Sequence, residues 1–528
     1  MLTGTQVPLD YADPDGPKAG IAMVKVPSKV SADSAEYRGP ILFNPGGPGG
    51  SGVSTVNARG ELFQRVLGDD YDMIGFDPRG VGRTTPQVVI FPDDAESTAW
   101  DLGVRGDQLP SNASLGPIAR IHARSALYGA LAQERTISAS PYVSTALVSR
   151  DMLSIVRAHG FEKLQYWGFS YGTVLGATFA AMFPDNVGRL IIDGVEDSED
   201  YYAALWSNNL VDTDAVLDWF FESCAEAGPE ACALHESSAE KIKSRLNSLY
   251  ESLKYSPIPV SAKGSDFTAA DYGLVDYALV RKLIFGFLYA PYPGMRPGGV
   301  TPSALASALA AAENGNGLPL WDLQKNGTEQ FKCKCGGGAN PVPRTDGATV
   351  AIACGEGDVV EDSVEELQAH YEKMSQDSTF AELWTIHASC VGWKIRTVER
   401  FSGPFVGNTS HPVLLIGNTA DPVTPLRNAH YMAKGFNGSV VLTQNSPGHC
   451  SLSSSSPCTM KAVREYFRNG TLPKAGTVCE TESTMFGDVV TADTVTGFET
   501  VLSSEDQEVL RGWRDLSSTF EPIQLGMI

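Results

Sequence analysis

The sequence predicts an α/β protein in which helices cover both faces of a mainly parallel sheet and a largely helical cap is inserted. Strand and helix patterns alternate in residues 1–196, and strand patterns return in residues 404–528. Residues 197–403 are instead rich in helix patterns and contain long irregular stretches. We therefore predict a core formed by 1–196 and 404–528, with 197–403 as a cap inserted after the sixth core strand.

A strand–turn–helix motif is the most informative part of the predicted core. The apolar segment Leu164–Trp167 leads into residues 168–172, Gly-Phe-Ser-Tyr-Gly, and the small and apolar residues 173–180 follow. The pattern G-x-S-x-G in this context is typical of a sharp turn that presents a serine nucleophile. Its two glycines have no Cβ to clash where the helix crosses the strand. We therefore predict that Ser170 is a nucleophile rather than an ordinary turn residue.

Two later loops carry an acid and a histidine. Residues 412–417 are predicted to form a strand, and Asp421 lies in the proline-bounded loop after it. Residues 439–444 are predicted to form the next strand, and His449 lies in the loop that follows. Serine, acid and histidine then occur in the chain order of a hydrolase triad on an α/β sheet. We predict that Ser170 attacks an acyl carbon, that the histidine transfers its proton, and that the acid orients the imidazole.

A glycine-rich loop is predicted to supply the oxyanion hole. Residues 41–43 are predicted to form a buried strand that opens into residues 44–52, Asn-Pro-Gly-Gly-Pro-Gly-Gly-Ser-Gly. Such a loop lets backbone N–H groups approach a ligand closely. We predict that the N–H groups of Gly47 and Tyr171 bind the oxyanion. The alternatives are a flexible surface loop and a phosphate-binding loop, and the missing Gly-Lys-Ser/Thr argues against the latter.

Other residues compete for the acid and base roles. Asp193 ends a predicted strand and is the alternative acid, although we favour a structural role for it. Asp77 and Arg79, in the segment Gly-Phe-Asp-Pro-Arg-Gly-Val-Gly-Arg, are predicted to pair structurally and to shape the loop after a strand. The other histidines weighed for the base are predicted to be surface or packing residues: His387, His411 and His430.

Five motifs together resemble one family. They are NPGGPGGSG, YDMIGFDPRGVGRT, GFSYGT, LLIGNTADPVTP and SPGHCSL. In this order and spacing they resemble the tripeptidyl aminopeptidase and proline iminopeptidase-like branch of the α/β-hydrolases, especially secreted bacterial and fungal members. The resemblance spans residues 7 to about 479, implies the α/β-hydrolase fold, and places the triad on Ser170, Asp421 and His449. Pro45 replaces the histidine of H-G-G-P-G in proline iminopeptidase members, whereas the oxyanion glycines are retained.

The nine cysteines lack a clear zinc-ligand spacing. Disulfides are the favoured interpretation, and they imply a secretory route. By analogy with the family, we expect the pairs Cys224–Cys232, Cys354–Cys390 and Cys458–Cys479. Five Asn-x-Ser/Thr sequons add modest support for secretion: Asn112, Asn326, Asn408, Asn437 and Asn469.

The start of the chain differs from that of the family. It has no apolar leader segment, and it lacks the cysteine that family members carry just before Val-Pro-Leu-Asp-Tyr. We expect that the start is trimmed or short, and loss of that cysteine would account for the odd cysteine count. A cytosolic enzyme with reduced cysteines is the alternative to a secreted one.

Composition narrows the possible partners. The chain has 528 residues and a formal net charge of −22. Because no basic patch stands out, the composition argues against nucleic-acid binding. No segment approaches the roughly 20 apolar residues of a membrane helix. The predicted chemistry requires no cofactor and no metal. The expected partner is a small peptide or another small acyl substrate.

Four acids follow Asp193 at the predicted entrance to the cap. If the protein is an aminopeptidase, a carboxylate here would bind the free ammonium of the substrate and set its distance from the nucleophile. The candidates are Glu196, Asp197, Glu199 and Asp200. For any single one of them we favour the alternative, an acid in the first turn of a helix, where the helix dipole stabilises it. Three aromatic residues could line a pocket or belong to the core: Tyr202, Trp206 and Trp219.

The leading hypothesis is a serine hydrolase that releases N-terminal residues or short peptides through an acyl-enzyme. The second is an esterase, lactonase or thioesterase that acts on a small natural product with the same triad under a different cap. A catalytically silent binding protein is the third, and the complete triad argues against it. An epoxide hydrolase or dehalogenase would need an aspartate in place of Ser170.

Overall fold

The computed structural model describes residues 2–106, 115–261, 271–295, 299–327, 347–491, 493–494 and 502–521. Its strands are, in chain order, β1 (Leu2–Pro8), β2 (Lys18–Val26), β3 (Pro40–Asn44), β4 (Asp72–Phe76), β5 (Leu164–Phe169), β6 (Val187–Asp193), β7 (Ile258–Ser261), β8 (Tyr272–Val275), β9 (Leu414–Ala420), β10 (Val440–Pro447) and β11 (Val478–Glu480).

Nine of these strands form one sheet in the order β1-β2-β4-β3-β5-β6-β9-β10-β11. β1 and β2 are antiparallel at one edge, β2 is antiparallel to β4, and every later pairing is parallel. All five residues of β3 and of β4 are buried, as expected for central strands covered on both faces. The predicted mainly parallel sheet is therefore confirmed.

The helices are, in chain order, α1 (Gly52–Leu67), α2 (Asp94–Gly106), α3 (Leu115–Arg135), α4 (Thr145–Ala158), α5 (Tyr171–Met182), α6 (Ser198–Tyr202), α7 (Thr213–Ala227), α8 (Ala239–Tyr255), α9 (Tyr277–Leu288), α10 (Pro302–Glu313), α11 (Leu318–Gly327), α12 (Ala348–Glu356), α13 (Val364–Asp377), α14 (Ile386–Ser389), α15 (Leu426–Ala433), α16 (Pro457–Asn469) and α17 (Ser504–Thr519).

Helices cover both faces of the sheet. On one face α1, α16 and α17 pack together, and on the other α4 packs against α5. The buried apolar side chains accordingly divide into two clusters, and the cluster on the α1 face contains Phe63, Trp167 and Trp513. Trp167 of β5 stacks on Trp513 at a centroid distance of 6.0 Å. The strand that leads to Ser170 is thus clamped by aromatic packing.

The segment between β6 and β9 is mainly helical, as predicted, and in its described part β7 pairs antiparallel with β8. The boundaries of the cap at residues 197 and 403 stay predictions. One feature was not predicted: α3, which precedes β5 in the chain, packs against α13 and α14 of the cap segment. Residues from the first third of the chain therefore contact the cap.

After residue 404 the sequence predicts strands at 412–417 and 439–444, and the structure contains them as β9 and β10. The structure adds a third strand, β11, and the helix α17. β11 has only three residues, so it is too short to show an alternating pattern. Its Cys479 is bonded to Cys458 of α16, which joins the strand to the covering helix.

Asp77 and Arg79 are structural, as predicted, but the prediction that they pair is wrong. Arg79 binds Asp151 of α4 through its Nε at 2.7 Å and its Nη2 at 2.8 Å, with both side chains buried. Asp77 instead accepts from Ser51 Oγ at 2.5 Å and from the backbone N–H of Val53 at 3.1 Å. Asp151 lies 72 residues from Arg79 along the chain, so no local pattern indicates it.

The expected disulfides are all confirmed: Cys224–Cys232, Cys354–Cys390 and Cys458–Cys479. Among the described residues Cys450 alone is a free cysteine, and it is buried. Cys333, Cys335 and the sequon at Asn112 lie outside the described residues. Three sequon asparagines are exposed: Asn408, Asn437 and Asn469. Within the described ranges, no helix has the length and apolarity that crossing a membrane requires.

Candidate active site

Ser170 occupies a strained turn between β5 and α5. Its backbone angles are φ 58° and ψ −126°, a region that L-residues rarely adopt. Small neighbours permit the turn, since a Cβ on Gly168 would lie 2.4 Å from the carbonyl of Gly172 and one on Gly172 would lie 2.9 Å from that of Asn44. This is the geometry of a nucleophile elbow, in which the serine precedes the first turn of a helix.

Asp421 and His449 form a buried pair beyond the ends of β9 and β10. His449 Nδ1 lies 3.0 Å from each carboxylate oxygen of Asp421. Because an ionised carboxylate only accepts hydrogen bonds, Nδ1 carries the proton and Nε2 is the basic nitrogen. Asp421 also accepts three backbone N–H bonds, from Val423, Thr424 and Cys450, at 2.9–3.0 Å. The backbone therefore holds the Asp421 carboxylate in place independently of its hydrogen bond with the histidine.

The structure brings Ser170 next to this pair. The Ser170 amide donates to the carbonyl of Asp193 at 3.0 Å, and the Cys450 thiol contacts the same carbonyl at 3.4 Å. His449, the residue before Cys450, is buried, and its Nε2 has no hydrogen-bond partner among the described residues. That nitrogen is therefore available to accept a proton, as a general base must be.

Asp193, the alternative acid, has other partners. Its carboxylate accepts from the backbone N–H of Ser451 at 2.8 Å, from Ser451 Oγ at 2.5 Å and from Trp167 Nε1 at 3.2 Å. Burial raises the pKa of Asp193 to about 6. Asp193 thus holds the loop that carries His449, while the imidazole itself is bonded to Asp421.

Residues that no sequence pattern indicated also hold the histidine loop. Thr424 Oγ1 lies 3.1 Å from His449 Nδ1, and the carbonyl of Tyr289 accepts from the His449 backbone N–H at 2.8 Å. The Tyr289 ring meets the imidazole edge to face at 5.3 Å. Tyr289 directly follows α9, so the cap segment contacts the predicted base.

Asp421, His449 and Cys450 each offer a metal-ligating atom, and these atoms lie within 4.8 Å of one another. The chemistry of the group disfavours a metal. Burial raises the pKa of the Cys450 thiol well above its usual range, and the thiol donates to the carbonyl of Asp193 at 3.4 Å. The carboxylate of Asp421 is already engaged by backbone N–H groups and the imidazole. These contacts favour proton transfer over metal binding.

The glycine loop after β3 lies directly against the elbow. A Cβ on Gly46 would lie 2.5 Å from the carbonyl of Phe169 and 2.7 Å from Ser170 Cβ. Gly46 and Gly47 have φ values of 95° and 108°, which favour glycine. The N–H of Tyr171, at the first position of α5, has no partner within its helix. Both predicted oxyanion donors therefore belong to the backbone that surrounds Ser170.

A continuous run of aromatic contacts leads from the elbow through the cap segment to the predicted base. Successive ring centroids lie 5.0–6.4 Å apart. The rings are, in order, Tyr171, Tyr201, Trp206, Trp384, Phe285, Tyr289 and His449. Trp206 belongs to this run, and Tyr202 packs against both Tyr201 and Phe405. Aromatic rings thus pack from Tyr171, the residue after the predicted nucleophile, through the cap segment to His449.

The four acids at the cap entrance have different partners. Asp197 caps α6 by accepting from the N–H groups of Glu199 and Asp200, and Asp200 accepts from Ser207 Oγ at 2.7 Å. Glu196 is buried and accepts from Asn209 Nδ2 at 2.6 Å. Burial raises the pKa of Glu196 well above its usual range.

Glu199 is the exposed acid of the four, and the hydroxyl of Tyr431 donates to it. It therefore keeps the accessibility that binding a substrate ammonium would require. A role for any of the four in substrate binding stays a prediction.

Comparison with known families matches two parts of the chain. Residues 39–288 match the family model described as alpha/beta hydrolase fold, and residues 377–479 match the one described as TAP-like protein. The second match covers the strands β9 to β11, including the loops with Asp421 and His449.

Several curated proteins are similar in sequence. Tripeptidyl aminopeptidase of Streptomyces coelicolor is 24% identical over 90% of this chain and 82% of its own length. Carboxylesterase B of Mycobacterium tuberculosis is 25% identical over 90% of this chain and 85% of its own. Serine protease Hip1 of the same organism is 31% identical over 36% of this chain and 35% of its own.

We predict that Gly46→Ala lowers kcat at least tenfold, because its Cβ would push Ser170 or the oxyanion loop out of position. Steady-state kinetics on any substrate that the protein turns over would measure the loss. Gly160→Ala is the matched control, since Gly160 also has a positive φ of 82° but no atom lies within 4 Å of its Cβ. Equal losses of kcat in the two folded variants would contradict the placement of the loop.

Proposed function

The chain belongs to the α/β-hydrolases and has a TAP-like C-terminal part, and we propose that it is a serine hydrolase with the triad Ser170, Asp421 and His449. One observation carries the proposal. The imidazole is bonded to a buried carboxylate through Nδ1 while its Nε2 has no partner among the described residues, next to a serine in a strained turn.

In the proposed mechanism His449 acts first as a base and then as an acid in each half-reaction. His449 Nε2 removes the proton of Ser170 as the oxygen attacks the acyl carbon, and the imidazolium then protonates the leaving group. The N–H groups of Gly47 and Tyr171 stabilise the oxyanion, an effect worth on the order of 10²–10³ in kcat for each donor. Water then attacks the acyl-enzyme with His449 again as base, and the imidazolium returns the proton to Ser170 Oγ as the bond between that oxygen and the acyl carbon breaks.

We propose that the substrates are peptides with a free N-terminus, from which one residue or a short peptide is released. Similarity to tripeptidyl aminopeptidase across most of the chain supports this substrate class. The aromatic run beside Ser170 suits an apolar side chain at the scissile residue. Glu199, as the exposed acid at the cap entrance, is the candidate for binding the ammonium group.

An esterase, lactonase or thioesterase is the second candidate. A relative named carboxylesterase B has similar identity and coverage, and the same apolar surroundings would suit a small natural-product ester. Both candidates share the triad, so they differ in what the cap binds.

We also propose that the protein is secreted. The three disulfides found among the described residues are typical of proteins from oxidising compartments. Three exposed sequon asparagines are compatible with glycosylation along that route.

Ser170→Ala should lower kcat by a factor on the order of 10⁶, because only oxyanion and binding effects remain. The assay compares it with the wild-type protein on aminoacyl and tripeptidyl arylamides with free amines, on their N-blocked forms, and on simple acyl esters. Cleavage confined to the free-amine peptides is expected. Cleavage of esters alone would move the assignment to the second candidate, and undiminished hydrolysis by the folded variant would refute the nucleophile.

The two buried aspartates near the histidine should differ in their effect. Asp421→Asn should lower kcat by a factor on the order of 10⁴, because the amide favours the wrong imidazole tautomer. Asp193→Asn should lower kcat less than tenfold, since Asp193 contacts Ser451 and Trp167 and not the imidazole. If the larger loss followed Asp193→Asn, the acid would be misassigned.

A further inference from the structure

Helix α12 of the cap segment contacts both parts of the proposed oxyanion hole. Near its start, Thr349 Oγ1 donates to the carbonyl of Pro48 in the glycine loop at 2.7 Å. Gly49 packs so closely there that a Cβ would lie 2.7 Å from the same hydroxyl. At the end of the helix, the Glu356 carboxylate accepts a hydrogen bond from the Thr145 hydroxyl, which in turn contacts the Tyr171 hydroxyl. A single cap helix thus links the two backbone donors.

Glu356 is completely buried, and three donors converge on its carboxylate. One oxygen accepts from the backbone N–H of Thr145 at 2.7 Å. The other accepts from Thr145 Oγ1 at 2.5 Å and from the hydroxyl of Tyr201 at 2.8 Å. Because an ionised carboxylate is an acceptor only, this set of donors fits the charged form.

The directions of these hydrogen bonds extend to the residue after the nucleophile. Thr145 Oγ1 and the Tyr171 hydroxyl are 2.6 Å apart. The one hydroxyl proton of Thr145 is donated to Glu356, so the Tyr171 hydroxyl must donate to Thr145. Glu356 thereby determines which group donates in a chain of hydrogen bonds that ends at the Tyr171 hydroxyl. The backbone N–H of this same residue is the one proposed to bind the oxyanion.

The end of α12 is itself firmly held. Cys354, two residues before Glu356, is bonded to Cys390 just after α14. Arg396 donates to the carbonyl of Cys354 at 2.8 Å, and Arg400 donates to the carbonyl of Glu356. The carboxylate is therefore presented from a fixed backbone and does not follow Tyr171 if that residue moves.

We propose that Glu356 is a positioning residue: through Thr145 it fixes Tyr171 and hence the oxyanion N–H, so that the catalytic step depends on cap helix α12. This inference rests on the proposed serine hydrolase function. It assigns to the cap a role in the chemical step in addition to substrate choice.

The charge of Glu356 changes within the working range of a hydrolase. Burial raises the pKa of Glu356 to about 7, while its hydrogen bonds and Arg400 oppose that shift. The other ionisable groups near it are Tyr171, Tyr201 and Tyr202, whose pKa values burial raises well above 10, and Arg396. Glu356 is thus mainly protonated at pH 5.5 and mainly ionised at pH 8.5. When it is protonated, one of the converging hydrogen bonds must reverse or break.

Glu356→Gln tests the proposal through the ratio of its kcat to that of the wild-type protein. The ratio should be near one at pH 5.5, where both side chains are neutral, and should fall about tenfold at pH 8.5, where only the wild-type protein has the carboxylate. Because the two proteins are compared at the same pH, effects of pH that are common to both cancel from the ratio. KM should change little, because the oxyanion forms after binding. A ratio that does not vary with pH would overturn the proposal.

Tyr171→Phe tests the same chain of hydrogen bonds without changing a charge. It replaces Glu356→Gln as the test if that variant fails to fold. It removes the hydroxyl and keeps the backbone N–H, so kcat should fall about tenfold with little change in KM. Full kcat in Tyr171→Phe would overturn the proposal.

Glu382→Gln is the matched control for burying an amide in the cap. Glu382 accepts from Arg281 Nε at 3.0 Å and from the Tyr277 hydroxyl at 2.7 Å, away from the triad contacts. It should lower Tm while its kcat ratio stays independent of pH. Ser170→Ala separates the two levels of inference: an active serine variant refutes the proposed function, whereas an inactive one with a flat Glu356→Gln ratio refutes only the positioning role.

Discussion

The candidate site depends on the backbone of Ser170, which is held at a φ of 58° against its own conformational preference. That conformation exists only because the surrounding residues enforce it. Glycines at 168 and 172 admit the crossing of strand and helix, Gly46 lies against the serine, and aromatic stacking clamps β5 from the opposite face of the sheet. The backbone that carries the N–H groups of Gly47 and Tyr171 then lies directly against the serine, where the proposed oxyanion would form.

The loops after β9 and β10 supply the complementary half of the site. Three backbone N–H groups donate to the carboxylate of Asp421. These bonds hold the carboxylate in place independently of its hydrogen bond with the imidazole. Asp193 also holds the loop after β10, because its carboxylate accepts a hydrogen bond from the backbone N–H of Ser451. The cap also contacts this half, because the carbonyl of Tyr289 holds the backbone of His449. The cap is therefore part of the framework that positions the proposed base.

Much of this arrangement is predictable from the sequence, because each motif that indicates it consists of residues that lie close together in the chain. The G-x-S-x-G turn, the glycine loop and the apolar strands are each defined by neighbours in the chain. The Arg79–Asp151 ion pair and the contacts of Glu356 with Thr145 join residues 72 and 211 positions apart, so periodicity and spacing do not register them. β11 was missed for another reason, since three residues are too few to form a pattern. The disulfides were expected from the family resemblance and not from the spacing of the cysteines.

The central claim is that Ser170 is the nucleophile of an acyl-transfer reaction. Its most direct test is to label the native protein with a fluorophosphonate, which bonds to activated serines, and to locate the adduct by peptide mass spectrometry. We predict a single adduct on Ser170, formed in step with the loss of hydrolytic activity and abolished by heat denaturation. An adduct on a different serine, or full inactivation with Ser170 unmodified, would contradict it.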